Sequence, residues 1–285
     1  MVVIENAWAK INYFLSVGAR RNDGYHDIET LMQTISLCDI VTISIDEGEG
    51  ITVTSNWGDI PTDAGNLAYR AAEVFLAHLG CQKRVSIHIE KKIPAAGGLA
   101  GGSADAAAVL RGMNRICGFP FRIEQLATMG NKFGSDIAFC VYGGLALCQG
   151  RGDLVTQLIP TPTYHFLIAN SGEKVSTMDA YSMLDSREGQ ILLAGADECL
   201  AALNNSNYKA LAANCMNSFE AVVLPKCPVA YEMLQSLAGV ARFARMSGSG
   251  ASVFGVFETK EEALLAQSKL AFPTWYAHTV FVDEV

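Results

Sequence analysis

The chain has 285 residues, half of them hydrophobic, and 21 Lys and Arg against 29 Asp and Glu leave a formal charge of -8. This composition excludes intrinsic disorder, which needs few apolar residues and a high net charge. The acidic balance also excludes a surface built to wrap nucleic acid or to lie on anionic lipid, since both demand clustered Lys and Arg. Length predicts one large domain or two ordinary ones of about 150 residues. The start, Met1-Val2-Val3-Ile4-Glu5-Asn6, lacks the basic stretch of a secretory signal. No apolar run approaches the ~18 residues that span a bilayer. A cytosolic protein is expected. The eight cysteines, scattered from Cys38 to Cys227 without Cys-x-x-Cys spacing, read as reduced and mostly buried thiols.

From Ala7 to Val17 the residues alternate, with Ala7, Ala9, Ile11, Tyr13, Leu15 and Val17 on one face and Trp8, Lys10, Asn12, Phe14 and Ser16 on the other. That period predicts a strand. A lysine midway along it is unusual; on pattern alone it is a buried functional group or an edge-strand side chain reaching solvent. Arg21-Asn22-Asp23-Gly24 is turn chemistry. Residues 28–37 and 40–45 read as two further strands, 65–79 as a helix, 85–90 as a strand, and 103–116, rich in Ala and Leu, as a buried helix. Arg151-Gly152-Asp153 spells an adhesion tripeptide, but without an export signal it reads as a turn. Beyond it, 164–169, 252–257 and 275–283 read as strands and 179–184, 229–237 and 260–270 as helices. This mixture predicts a second α+β domain from about residue 155.

Pro94-Ala95-Ala96-Gly97-Gly98-Leu99-Ala100-Gly101-Gly102-Ser103 lies between a predicted strand and a predicted helix. Its small residues let backbone N–H groups approach a ligand, Ser103 is a candidate helix cap, and the helix turns its positive dipole end to the loop. Such a turn either packs tightly or binds phosphate. It is neither a P-loop, since the required Lys is absent, nor a Rossmann Gly-x-Gly-x-x-Gly.

The segment from Pro94 to Ala107 resembles the phosphate loop of the GHMP kinases, the family of galactokinase, homoserine kinase and mevalonate kinase. Ala9-Lys10-Ile11-Asn12 and Ser247-Gly248-Ser249-Gly250-Ala251 match the same family, so the resemblance spans nearly the whole chain. Asp23-Gly24-Tyr25-His26, Gly134-Ser135-Asp136-Ile137-Ala138-Phe139 and Ala244-Arg245-Met246 further resemble the branch whose substrate is a cytidyl diphosphate-linked methylerythritol. The Asp-Gly-Tyr-His block is the most specific of these. Ala100 and Ala104 stand where many relatives have Gly and Ser, which restricts the backbone and removes a hydroxyl.

The resemblance implies a two-domain α+β fold. Residues 1–155 would form an N-terminal domain with a βαβ unit and the phosphate loop, residues 156–285 a ferredoxin-like C-terminal domain, and the active site would lie between them. The implied reaction moves the γ-phosphate of ATP, carried with Mg²⁺, to a 2-hydroxyl of the small-molecule substrate, in a bacterial cytoplasm or plastid stroma, with no nucleic-acid or membrane partner. By resemblance Asp136 is the base and Lys10 its electrostatic partner, although Asp136 by pattern is also a helix-cap or turn aspartate. Asn66, Lys91, Pro94 and the residues Gly97, Gly98, Leu99, Ala100, Gly101, Gly102 and Ser103 would surround ATP. Asn12, Tyr25, His26, Thr177, Tyr181, Gly248 and Ser249 would meet the second substrate. Tyr25 and Tyr181 would cover opposite faces of a cytosine whose edge His26 bonds. No metal ligands are assigned. A mevalonate or homoserine type kinase would share Lys10, Asp136 and the loop but lack Asp23-Gly24-Tyr25-His26, and a non-catalytic sensor on the same fold should lack the base or the loop.

Overall fold

The computed structural model describes residues 1–281 except 59, 96, 160 and 188–192. Two long strands, β1 (Val2–Arg20) and β2 (His26–Asp46), pair antiparallel across the turn at 21–25. Both faces of β1 are covered: Ala7, Ala9, Ile11 and Tyr13 are fully buried, and Lys10 and Asn12 on the other face are nearly so. Register shifts between Trp8 and Lys10 and between Asn12 and Phe14 bracket these two polar residues, as bulges do where a strand re-aims a side chain. The two strands expected at 28–37 and 40–45 are one. Charged Asp39 breaks the apolar pattern, yet it is fully buried because the Lys91 ammonium and the Ile93 N–H, from the segment after a neighbouring strand, satisfy it.

The chain continues through β3 (Gly50–Ser55), α1 (Leu67–Leu79), β4 (Arg84–Glu90), α2 (Gly101–Ile116), α3 (Ile123–Asn131), α4 (Ser135–Tyr142), β5 (Leu145–Gly150) and β6 (Leu154–Gln157). These complete a six-stranded sheet ordered β3-β4-β2-β5-β6, with β1 also on β2. β3 and β4 are parallel and joined through α1, which is the expected βαβ unit. Helix α2 lies on β1 and β2 through Ala104, Ala106, Ala107 and Ala108, all buried, and such small residues permit close approach. Helix α2 starts at Gly101, two residues before the expected start; its N-cap is Ala100, in the left-handed conformation (φ 59), so Ser103 is inside the helix and caps nothing.

The second sheet follows: β7 (His165–Asn170), then helices α5 (Thr177–Asp185), α6 (Asp197–Asn204), α7 (Tyr208–Asn214), α8 (Glu220–Val223) and α9 (Pro228–Ala238), then β8 (Phe243–Met246), β9 (Ser252–Phe257), α10 (Lys260–Gln267) and β10 (Trp275–His278). Its antiparallel order β10-β7-β9-β8, with helices after β7 and β9, is the ferredoxin-like arrangement. The closing strand expected at 275–283 ends at His278, and residues 282 and 283 lie outside the described residues. The boundary expected at 155 falls within β6, which pairs with β5 in the first sheet. The two sheets are tied where β1 runs on: Leu15 N–H donates to the Met216 carbonyl (2.8 Å) and Ser218 N–H to the Leu15 carbonyl (2.9 Å).

Strands β3, β5, β6 and β8 and helices α3, α4, α6 and α7 are not apparent in the periodicity. They are short, four to nine residues. The eight cysteines are free thiols, five of them buried.

Phe75 on α1 is fully buried and meets Phe121 edge-on, ring centroids 5.3 Å apart, away from the polar groups described below. Phe75→Ala should lower the unfolding free energy by about 3–5 kcal/mol, read as a shifted urea midpoint at unchanged slope.

Candidate active site

A cavity of about 920 Å³ opens between the two sheets. Strand β1 delivers Lys10 into it. The residue is 3% exposed, and its ammonium donates to Asn12 Oδ1 at 2.8 Å and stands 3.7 Å from Asp136 Oδ2. Asn12 in turn donates through Nδ2 to Thr30 Oγ1 (2.8 Å), and Thr30 to the Phe14 carbonyl (2.6 Å). The chain of bonds sets the orientation of Asn12, so it supports Lys10. The edge-strand alternative for Lys10 is therefore excluded. Asp136 sits in the first turn of α4, after Gly134 as N-cap, and its side chain is one-third exposed to the cavity. It is thus both a helix-start aspartate and the partner of Lys10.

The glycine loop forms the adjoining wall. Lys10 N–H donates to the Leu99 carbonyl (3.1 Å), while Leu99 itself is a core side chain. A Cβ at Gly98 (φ 71) would overlap the Ser247 carbonyl, and one at Gly97 would overlap the Ser252 hydroxyl. Only glycine allows the loop to meet the turn between β8 and β9 this closely. Ser247 Oγ donates to the Gly98 carbonyl (3.0 Å) and Ser252 N–H to the Gly97 carbonyl (3.3 Å). The turn is thus the expected hairpin turn and also a second wall, and its Ser249 meets Thr177 at 3.3 Å between hydroxyls. Gly101, Gly102 and Ser103 bring the N-terminus of α2 to the cavity, with free N–H groups and a positive dipole end.

Two residues expected beside the nucleotide line the cavity, with their polar groups engaged within the protein. Asn66 caps α1, accepting from Ala68 N–H at 2.9 Å and donating to the Pro61 carbonyl at 2.8 Å. Lys91 lines the cavity with Pro94, but its ammonium is buried between Asp39 and Asp105, 2.7 Å from Asp105 Oδ2. Asp39 also accepts from Ile93 N–H at 2.8 Å. The triad therefore anchors the end of β4 and the base of the loop. Two carboxylates share one ammonium, and burial pushes the Asp105 carboxyl up to about 7 against the pull of Lys91.

At the other end of the cavity His26 is buried, its Nε2 2.7 Å from Asp185 Oδ1. Tyr181 lines the cavity. It stacks on His26 with centroids 4.8 Å apart and meets Phe219 in a T-shaped contact at 5.0 Å. Burial, with the Asp136 charge adding, pushes its phenol up to about 12. Tyr25 is half exposed beneath the Arg151 guanidinium, 4.9 Å from its ring centroid. Arg151 is indeed in a turn, with Gly150 and Gly152 at positive φ, but it also lines the cavity. Sequence reasoning missed Asp39, Arg151 and Asp185 as members of this region. A charge interrupting an apolar strand was the only available sign of Asp39, and nothing local marks Asp185.

Lysine and aspartate meeting beside an N-terminal helix end and a glycine-rich wall define a phosphoryl-transfer site. Residues 66–144 match the GHMP kinases N terminal domain and residues 199–273 the GHMP kinases C terminal domain, and the chain belongs to the GHMP kinase family. It is 40% identical, over 99% of its length and 95% of the relative's, to the 4-diphosphocytidyl-2-C-methyl-D-erythritol kinase of Caldicellulosiruptor saccharolyticus. To the enzyme of that name from Alkaliphilus metalliredigens it is 37% identical, with 95% and 94% covered. A crystal structure of 4-(cytidine 5'-diphospho)-2C-methyl-D-erythritol kinase matches at a TM-score of 0.80 and 28% identity, covering 97% of this chain and 99% of that one. A homoserine kinase from Cytophaga hutchinsonii shares the fold, at a TM-score of 0.75 and 19% identity with 98% and 95% covered.

The Asp105 carboxyl binds its proton more tightly in the folded chain than at its ordinary value of 3.8. Its contribution to stability is therefore full below pH ~4 and is lost as pH rises through about 7. Asp105→Asn keeps an acceptor for Lys91 and removes the titration. Urea midpoints measured from pH 4 to 8 should shift in favour of the variant as pH rises; a pH-independent difference would show that Asp105 is ionised throughout.

Proposed function

We propose that this chain is an ATP-dependent kinase that phosphorylates the 2-hydroxyl of 4-diphosphocytidyl-2-C-methyl-D-erythritol. The observation that carries this is the Lys10–Asp136 pair, 3.7 Å apart, in one cavity with the glycine loop and with Tyr25 and His26 of the Asp-Gly-Tyr-His block. The names of the relatives at 37–40% identity support the particular substrate, and their bacterial sources support a cytoplasmic setting. The division between its two domains falls between β6 and β7.

Asp136 takes the hydroxyl proton as the alcohol oxygen bonds to the γ-phosphorus and the bond to the β-phosphate oxygen breaks, releasing ADP. Lys10, held by Asn12, offsets the charge developing on the alcohol and phosphoryl oxygens. The N–H groups at the start of α2 and around Gly97–Gly102 cradle the phosphates. Mg²⁺, carried with the nucleotide, would neutralise phosphate charge. Hard oxygen donors suit it, and the cavity provides the Ser103 hydroxyl, the Asp136 carboxylate and Asp105 Oδ1, a buried atom with no hydrogen-bond partner.

The Asp185 carboxylate accepts from His26 Nε2 and so orients the ring whose other nitrogen would meet the edge of the cytosine. Tyr181 acts through His26 by holding its ring, Tyr25 covers the base, and Arg151 and Arg20 at the cavity rim offer charge to the substrate diphosphate. Thr177, Gly248 and Ser249 close the site from the second sheet. Asn66, Lys91 and Pro94 border the nucleotide, the first two as supports.

Coupled ADP-release assays with the cytidyl substrate, mevalonate and homoserine offered separately should show turnover on the first alone. Turnover only on another alcohol would overturn the substrate assignment. Asp136→Asn should slow kcat by ~10²–10⁴-fold, with unchanged kcat placing the base elsewhere. Tyr25→Ala should raise KM for the cytidyl substrate and leave that for ATP nearly unchanged.

A further inference from the structure

The turn between β8 and β9 forms one wall of the cavity; it is a short run of Ser and Gly closed by Ser247 N–H to the Ser252 carbonyl (2.9 Å) and Gly250 N–H to the Ser247 carbonyl (3.0 Å). Gly248 is in the left-handed conformation (φ 56). A Cβ there would lie 2.9 Å from the Gly98 carbonyl and 3.2 Å from Lys10 Nζ, so its backbone is wedged between the phosphate loop and the catalytic ammonium. Ser247 and Ser252 tie the turn to the loop, and a further part of its positioning comes from outside the turn.

It comes from Asn217. This side chain is 5% exposed, and its Nδ2 donates to both the Met246 and the Gly248 carbonyls at 2.8 Å, while Oδ1 accepts from Phe219 N–H at 2.9 Å. Three residues on, Glu220 Oε1 accepts from Met246 N–H at 2.8 Å. Both polar groups of the Met246 backbone and the Gly248 carbonyl are therefore held by one short segment. That same segment bridges to Leu15 on β1, through Met216, Asn217 and Ser218, five residues beyond Lys10. Asn217 thus refers the height of the turn to the strand that carries the lysine.

We propose that Asn217, with Glu220, is a positioning residue for phosphoryl transfer: it sets Gly248 against Gly98 and Lys10, so that the phosphate loop and the ammonium face one reaction point. The inference rests on the kinase reading above. Neither side chain touches the cavity chemistry itself, and the effect is transmitted through backbone carbonyls and one backbone N–H. A 1 Å misplacement of reacting groups can cost about 10²-fold in rate, so the signature is in kcat.

Two variants separate this role from mere stability. Asn217→Ala removes the donors, and Asn217→Asp sets a carboxylate oxygen against two carbonyls. The control is Asn114 near the far end of α2, equally buried and bonded to both backbone groups of Phe121 at 2.9 and 3.0 Å, but outside the cavity. Wild type, Asn217→Ala, Asn217→Asp and Asn114→Ala are assayed with ATP and the cytidyl substrate below their melting temperatures. The expected result is a kcat lowered by about 10–10²-fold in the Asn217 variants, with KM for ATP changed much less, and a kcat near wild type in Asn114→Ala at a comparable loss of Tm. Folded Asn217 variants with kcat within about twofold of an active wild type would overturn the proposal, as would an equal loss in Asn114→Ala. Should the Asn217 variants not fold, Glu220→Ala and Glu220→Gln decide. Gln still accepts from Met246 N–H, so it should retain the rate that Ala loses, and a kcat unaffected by either overturns the proposal. A wild type without turnover on the cytidyl substrate overturns the kinase reading first and this inference with it; an active wild type with indifferent variants overturns the inference alone.

Discussion

A lysine ammonium almost wholly removed from water needs oxygen partners, and much of this architecture follows from meeting that need for Lys10. Its neighbours arrive from separate parts of the chain: Asn12 from the same strand, Asp136 from the start of α4. Register shifts on both sides of the pair aim Lys10 and Asn12 inward, and Thr30 on β2 fixes the amide of Asn12. Burying one cation thus dictates a strand irregularity, a hydrogen-bond relay and the placement of a helix. The same demand recurs at Lys91, met by Asp39 and Asp105. There the charge is spent on holding the loop, and a carboxyl near neutrality is the residue of two acids sharing one base.

An overall charge of -8 is compatible with two phosphate-bearing ligands because the cavity does not depend on the sum. Lys91 is neutralised by its two carboxylates and offers little to a ligand. The favourable potential comes from Lys10, from the N–H groups and dipole at the start of α2, and from Arg20 and Arg151 at the rim. Backbone donors of this kind cost no reorganisation when charge develops. Glycine is required where they are presented, at Gly97 and Gly98, since a side chain would collide with the second wall.

The two walls make the site a joint product of both sheets. The turn from the second sheet packs backbone to backbone on the loop from the first, with Ser247, Ser252 and Asn217 supplying the polar contacts. Ala100 adds a local tension, since a left-handed alanine carries a cost of about 1–2 kcal/mol that glycine avoids. It is tolerated where the chain must turn sharply into α2.

The sequence by itself determined the features whose cause is local. Alternation revealed β1 and β4, helical spacing revealed α1, Ala and Leu content revealed α2, glycine content marked the loop, and the spread of Lys10, Asp136 and the Asp-Gly-Tyr-His block indicated the family and its chemistry. Tertiary structure decided what depends on distant partners. Asp39 looked like a break in a strand until Lys91 met it. Ser103 looked like a cap until the chain began its helix at Gly101. Nothing near Tyr181 in sequence announced its stacking on His26, and Arg151 read as a turn residue alone until the fold also brought it over Tyr25. Each case turns on a contact between residues far apart in the chain, and whether a polar or aromatic group is paired, the fact that sets its energy and role in a buried site, is a property of the folded neighbourhood and leaves no mark in the adjoining residues.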